Sequence, residues 1–429
     1  LPHIFTHLEE IPLTASGKAN RNALPEIDLE NIRTNTEYIA PETEKETLLT
    51  ECISNVLNTE KISVIDNFFD IGGDSLKAIE LTARLEEKGY TVPIRTIFSC
   101  KDIRELAKNL EDKETEYIQI KYGSTVPVTA AQMRVYTSQF MKPDSAHYNI
   151  PFAFKTKDLD AEKLETAANK LIERHESLRT RFENREGQIV QIIEEEASIK
   201  IEKLASDDIS VFNTPFDLEK APLLRVGYFE NTIFFIIHHI ISDGETMNIL
   251  LKELNALYMG RKLPETVQYG EFAVTDGYTE ENENYWLGVF ADNIEPINIK
   301  SDFTRPERQT FEGSEIYEII NTHNRIEEFC KKQNITPYVY YMACYSILLS
   351  KYSGNEDIIT AIPVSGREGR FIDTVGMFVN TVAMRTKPDG NKTIEEFLNE
   401  VKADSIKAID NQNYPIGELI KKLNIDISS

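Results

Sequence analysis

Phe234–Met247 reads FFIIHHIISDGETM, and the way this stretch is read decides the fold. Four apolar residues run into two adjacent histidines, two isoleucines and a Ser-Asp-Gly turn. The apolar run from Ile233 to Ile241 has the length of a strand and is too short to cross a bilayer as a helix. Thr232–His238 pairs with Leu223–Phe229 as an antiparallel couple turning near Glu230 and Asn231. Past the turn, Glu245–Tyr258 has helical spacing, with Met247, Leu250, Leu251, Leu254 and Leu257 inward and Gly260 as its stop. Neighbouring residues of a strand face opposite ways, so His238 and His239 are expected to divide the labour. One faces a cavity and the other is braced. Asp243 is suited to fixing the turn, and Gly244 to unusual backbone angles there. Taken alone, the pair also reads as a satisfied, buried histidine couple. No metal is expected, because adjacent histidines rarely converge on one ion and no cysteine or carboxylate stands at ligand spacing.

Outward from this unit, helices and strands alternate from about Val126 to the end of the chain. Helices are expected at Thr129–Phe140, Asp160–His175, Asn324–Gln333, Pro337–Tyr352 and Thr393–Ile409. Strands are expected at Glu315–Ile320, Ile358–Val364 and Phe378–Arg385. Ahead of this α/β region, residues 41–113 read as four helices. Leu48, Leu49, Ile53, Val56 and Leu57 share a face after Pro41, and further helices follow near Ser75, at Ile94–Phe98 and at Lys101–Leu110. The charged run Glu111–Glu116 reads as a solvated linker, and the polar stretch between Lys113 and Val126 as a mobile joint.

DNFFDIGGDSLKAIEL (Asp66–Leu81) sets Ser75 directly after a Gly-Gly-Asp turn and in the first turn of a helix. Free backbone N–H groups and the positive end of the helix dipole favour a phosphate on that hydroxyl. A plain N-cap serine is the simpler reading of the same position. Leu76 and Ile79 read equally as core or as exposed contacts for a partner.

A formal charge of −24 over 429 residues repels phosphate backbones and anionic membranes, so neither nucleic acid nor a membrane is an expected partner. Four scattered cysteines without a CxxC pair read as buried free thiols in a reducing cytoplasm. No basic-then-apolar leader opens the sequence, and a cytoplasmic location is expected. Leu1–Pro25 is too short to fold alone. The abrupt start and finish suggest a piece excised from a larger polypeptide.

The run F-F-x-x-G-G-D-S-L within a four-helix unit resembles acyl and peptidyl carrier domains. That resemblance implies 4′-phosphopantetheine on Ser75, carrying a substrate as a thioester. H-H-x-x-x-D-G resembles the hallmark of condensation domains of nonribosomal peptide synthetases. Further motifs of that family stand in order: TAAQMRVY (Thr129–Tyr136), RHESLRTRF (Arg174–Phe182), YGEFAV with Tyr285-Trp286, VGMFVNT (Val375–Thr381) and NYPIGEL (Asn413–Leu419). The family's last, Arg-rich motif is missing. IPLTASGKANRNALP (Ile11–Pro25) is similar to the final motif of adenylation domains, whose lysine corresponds to Lys18, although Ser16, Ala19 and Asn20 depart from the usual N-G-K-V-D-R.

The resemblance implies an adenylation remnant (1–27), a four-helix carrier (41–113) and a condensation domain (126–429). The last would comprise two acetyltransferase-like α/β lobes in a V, 126–297 and 298–429. His239 is then the expected catalytic group, His238 and Asp243 architectural ones, and Arg305 a candidate partner for Asp243. Implied partners are a phosphopantetheinyl transferase, an upstream adenylation domain and a downstream carrier bearing the acceptor amine. The expected activity is amide formation from an L-configured donor held on Ser75. Three rivals share the motif or the fold: epimerization domains, which also follow G-G-D-S carriers; heterocyclization domains, which use a two-aspartate motif absent here; and non-catalytic recruitment platforms.

Overall fold

The computed structural model describes residues 38–59, 61–73, 75–112, 120–292, 294–300, 302–304, 316–318 and 322–425. The expected adenylation remnant with Lys18, the candidate Arg305 and half of the expected strand Glu315–Ile320 lie outside them, and the described half, 316–318, is not in a strand.

The first unit is helical. Thr43 caps α1 (Glu44–Leu57) through a reciprocal box, its hydroxyl accepting from Glu46 N while the Glu46 carboxylate accepts from Thr43 N. The helices α2 (Ser75–Glu87), α3 (Ile94–Ser99) and α4 (Ile103–Lys108) close the unit over Leu49, Ile53, Phe68, Leu81, Leu85, Ile97 and Ile103. Ile79 is buried rather than presented to solvent. The linker begins later than its charge suggests. Glu111–Asp112 forms β2, paired antiparallel with β1 (Tyr90–Thr91), so backbone pairing keeps these acidic residues within the unit.

The expected joint is also narrower at its far end. Ile120 N donates to the buried Glu271 carboxylate (3.1 Å), Tyr122 OH to Glu176 (2.6 Å), and Ile193 N to Ser124 O (2.8 Å). Polar residues there are bonded to the second unit, and only 113–119 between the two anchored stretches fall outside the described residues.

In the second unit, β3 (Thr125–Pro127) leads into α5 (Ala130–Met141), β4 (Asn149–Lys155) and α6 (Ala161–Arg174). The hairpin β5 (Thr180–Arg185) and β6 (Gln188–Ile193) turns on Glu186 and Gly187, both at positive φ. After β7 (Glu202–Lys203) come β8 (Leu224–Phe229), β9 (Thr232–His238) and α7 (Gly244–Tyr258). One sheet runs β4-β9-β8-β7 and a smaller one β3-β6-β5. Strand β9 is central, antiparallel to both neighbours, with Asn149 opposite His238 and Leu224 opposite Ile237. Every residue from Ile233 to His238 is buried, which explains a continuous apolar run in place of alternation.

The helices α8 (Tyr269–Thr275) and α9 (Glu280–Val289) lead to a second core. It is built by α10 (His323–Gln333), α11 (Pro337–Ser353), α12 (Ile394–Asp410), α13 (Ile416–Lys422) and the antiparallel pair β10 (Ile358–Val364) and β11 (Asn380–Thr386). Trp286 and Phe290 pack into this second core, although both precede the expected lobe boundary at 297. Val375 and Met377, by contrast, reach back into the first core.

The helical unit rests on the second lobe. Ile406 of α12 packs against the carrier core. The Arg84 guanidinium forks onto both Asp373 oxygens, at 2.7 and 3.2 Å, and Lys331 Nζ donates to Asp70 O at 3.4 Å. The Arg84 and Asp373 side chains are 26% and 57% exposed. A pair this wet contributes about 0–1 kcal/mol. Such an interface can open and close.

Candidate active site

Strand β9 ends at His238, and the chain breaks there into a single 3-10 turn, His239–Ile241, before Asp243 caps α7. That break separates the two histidines. His238 is fully buried; its Nδ1 accepts from Ile240 N at 3.1 Å, and its Nε2 lies 3.5 Å from Gln139 Oε1. Burial, helped by the neighbouring His239 and His147, pushes its pKa down to about 3. The ring is therefore neutral near pH 7 and serves as a brace.

His239 is half-buried. Its backbone N donates to Tyr148 O at 2.8 Å, and the Tyr148 ring stands edge-on to the imidazole. Its Nδ1 lies 2.7 Å from Ser242 O, a carbonyl that can only accept, so the proton sits on Nδ1. Nε2 then carries a lone pair and has no protein partner among the described residues. A histidine with a fixed tautomer and an unclaimed basic nitrogen is equipped to accept or orient a proton.

The turn is held from both sides. Gln132 of α5, fully buried, donates to Ile240 O at 3.1 Å. Asp243 uses one oxygen to cap Thr246 N (2.8 Å) and to accept from Arg367 (2.7 Å), and the other to accept from Phe378 N (3.0 Å). Among the described residues the cross-lobe arginine on Asp243 is Arg367, from the segment that follows β10 in the second lobe. Arg367 is 1% exposed, lies over the Phe378 ring at 4.2 Å, and also donates to Thr246 Oγ1, Phe371 O and Thr374 O. Gly366 makes the turn possible: its φ is +65°, and a Cβ there would collide with Phe378 O.

Gly244 does not play the conformational part expected of it. It begins α7 outside the positive-φ region, and a Cβ there would meet nothing within 4 Å. Its hydrogen faces open space beside the His239 turn.

The other motifs form the frame. In RHESLRTRF, Arg174 forks onto Glu253 while His175 Nε2 sits 2.6 Å from the same carboxylate, joining α6 to α7. Ser177 donates to Val375 O, Tyr269 OH to Met377 O, and Thr246 to Gly376 O, so the backbone of VGMFVNT is a junction between lobes. Sequence reasoning passed over Arg367, Gln132, Gln139 and Thr246. The signal for Arg367 was available in VSGREGR, where an arginine sits in a Gly-bounded turn directly after a strand. A cavity of about 240 Å³ lined by Tyr285, Trp286, Arg385 and Glu400 lies in the second lobe, away from His239. Among the described residues no group of three or more potential ligand side chains gathers to hold a metal, and no helix is long and apolar enough to cross a membrane.

Ser75 is the first residue of α2. The turn before it is compact: Gly72 has φ +106°, and a Cβ on Gly73 would strike the Phe68 ring and carbonyl. A turn that requires glycine at 72 and 73 and leads to a serine at a helix N-terminus fits a phosphodiester-linked arm.

Taken together, a four-helix unit with such a serine, joined to a two-lobed α/β unit whose lobes meet at a braced histidine turn, defines a carrier-linked acyl-transfer protein. The Condensation domain family model matches residues 123–429 and the Phosphopantetheine attachment site model residues 47–110. Gramicidin S synthase 2 of Brevibacillus brevis is 40% identical over 99% of this chain and 10% of its own length. Bacitracin synthase 3 of Bacillus licheniformis is 37% identical over 99% of this chain and 7% of its own. The chain thus spans about a tenth or less of these relatives. Among solved structures, the condensation domain from monacolin K polyketide synthase superposes with a TM-score of 0.62 at 20% identity, covering 71% of this chain and 77% of that one. The X-domain from teicoplanin biosynthesis also gives 0.62, at 19% identity, over 71% and 75%. The chain belongs to the condensation-domain family of nonribosomal peptide synthetases and carries a phosphopantetheine attachment domain ahead of it. Peptide-bond formation is the general activity of such condensation domains.

Proposed function

We infer that this chain holds an aminoacyl or peptidyl donor on Ser75 and joins it, at His239, to an amine carried by a downstream carrier. The observation that carries the reading is the fixed tautomer of His239, with Nδ1 bonded to Ser242 O and Nε2 unclaimed. The 4′-phosphopantetheine on Ser75 would supply the thiol that holds the acyl group. His239 Nε2 accepts a hydrogen bond from the attacking amine and holds the proton released as the C–N bond forms and the C–S bond breaks; that proton then leaves with the thiol. Fixing two tethered reactants beside this nitrogen contributes as well, through lost translational freedom. The carrier match ends at 110 and the condensation match starts at 123, leaving no room for an epimerization unit, which favours an L-configured donor. A phosphopantetheinyl transferase, an adenylating enzyme and an acceptor carrier are the partners this cycle needs.

A broad-specificity transferase supplied with coenzyme A is expected to add one arm to the wild-type chain and none to Ser75→Ala, read by intact mass. An arm that persists in Ser75→Ala would assign the attachment to another serine.

Gly244→Ala separates a structural from a functional glycine. Alanine is the better helix former by up to about 1 kcal/mol, so the melting temperature should hold or rise. The added methyl enters the open space beside His239, and amide formation should fall roughly tenfold to a hundredfold through misplacement of the reactants. An unchanged rate would mean that the space is not an approach route.

A further inference from the structure

We propose that the loop Gly369–Thr374 is the dock at which the carrier helix α2 delivers its load, and that Arg84 and Asp373 set its register. This rests on the donor role inferred for Ser75. Four contacts place α2 and its neighbours on the second lobe. Arg84 forks onto Asp373 with the two-pronged geometry that specifies orientation as well as attraction. Glu86 lies so near Gly369 that a Cβ on that glycine would sit 2.8 Å from its carboxylate oxygen. Lys331 of α10 donates to Asp70 O, in the loop leading to Ser75. Ile406 of α12 meets the carrier core.

The same helix lies within electrostatic range of the start of α7. Glu80, one turn before Arg84, is held above its usual carboxylate pKa by burial, and the charges of Asp373 and of Glu245 raise it further. Glu245 directly follows Gly244 at the start of α7. The like charges of Glu80 and Glu245 oppose this approach, and the Arg84 fork helps to orient it. The dock is also continuous with the site: Arg367 donates to Phe371 O and Thr374 O, which flank Asp373, and to the Asp243 carboxylate.

The test is a charge reversal and its repair, read by small-angle X-ray scattering, which needs neither an arm on Ser75 nor turnover. Asp373→Arg faces Arg84 with a like charge and should release the carrier, increasing the radius of gyration and the maximum dimension. Arg84→Asp together with Asp373→Arg should restore the wild-type curve. Raising the salt to about 1 M, where screening reaches 3 Å, should loosen the wild type in the same direction. With amide formation as a second readout, the ratio of rates for carrier-bound against soluble donor thioester should fall about tenfold in Asp373→Arg and recover in the swap. A scattering curve unchanged by Asp373→Arg would overturn the dock. A released carrier with an unchanged rate ratio would overturn its role in delivery. A wild-type chain that made no amide would sink the functional reading, while the scattering arm would still judge the dock.

Discussion

Replacing His239 with alanine is expected to lower amide formation by on the order of a hundredfold to ten-thousandfold, the range of a lost general acid–base group. Loading of Ser75 should be untouched, because the arm and the acyl group are installed by other enzymes at a helix in another unit. That split is the diagnostic part of the result. A change at His239 that merely damaged the fold would also lower the melting temperature, since the turn is bonded to Tyr148, Gln132 and, through Asp243, to the second lobe. His239→Ala removes a half-buried ring whose one side-chain bond is to a local carbonyl, so stability should change little. A drop of less than tenfold would shift the weight of catalysis to tethering and positioning. Wild-type rates would refute a catalytic His239. Release of a D-configured donor without dipeptide would favour the epimerization rival.

The second large effect is expected on stability. Asp243→Ala leaves Arg367 buried at 1% exposure without its counter-charge, and removes the cap of α7 as well. Breaking one side of a buried ion pair costs about 3–5 kcal/mol, which should lower the melting temperature by roughly 10 °C. Arg367→Met in the same chain should return part of that loss, because an apolar side chain no longer demands a partner between Phe378 and Thr246. Differential scanning calorimetry of the two single variants and the double gives the coupling directly. If Asp243→Ala melted within a degree or two of the wild type, the bridge would be ornamental and the lobes would be held by their apolar contacts alone.

How much of this was written in the sequence depends on how local each feature is. Thr232–His238 and Ile358–Val364 were legible to the residue, because each apolar run starts after turn-forming residues and stops at a change of pattern, the histidine pair in one and Ser365-Gly366 in the other. The helix at Ser75 was legible because Gly72 and Gly73 cannot continue one before it. The β5–β6 hairpin was missed: its turn, Glu186-Gly187, lies inside a charged stretch that hides the alternation around it. Strand β4 was missed because Asn149 and Pro151 interrupt its pattern; only the pairing with β9 makes it a strand. The partner of Asp243 was missed for a different reason. Arg367 stands 124 positions downstream, and no spacing rule spans two lobes. Gly244 was assigned to backbone freedom because that is the common reason for a turn glycine, whereas its backbone is ordinary and only the missing side chain matters.

The Arg84–Asp373 fork joins positions 289 apart, on two units whose sequences can drift or be exchanged separately. A carrier grafted ahead of a foreign condensation unit would keep its serine, its helices and its capacity to be loaded, yet arrive with an arginine that finds no carboxylate. Compatibility between the two units is then inherited as a matched pair of charges rather than as a property of either fold. The natural cut for a chimera lies upstream of α2 or downstream of Asp373, so that lock and key travel in one piece.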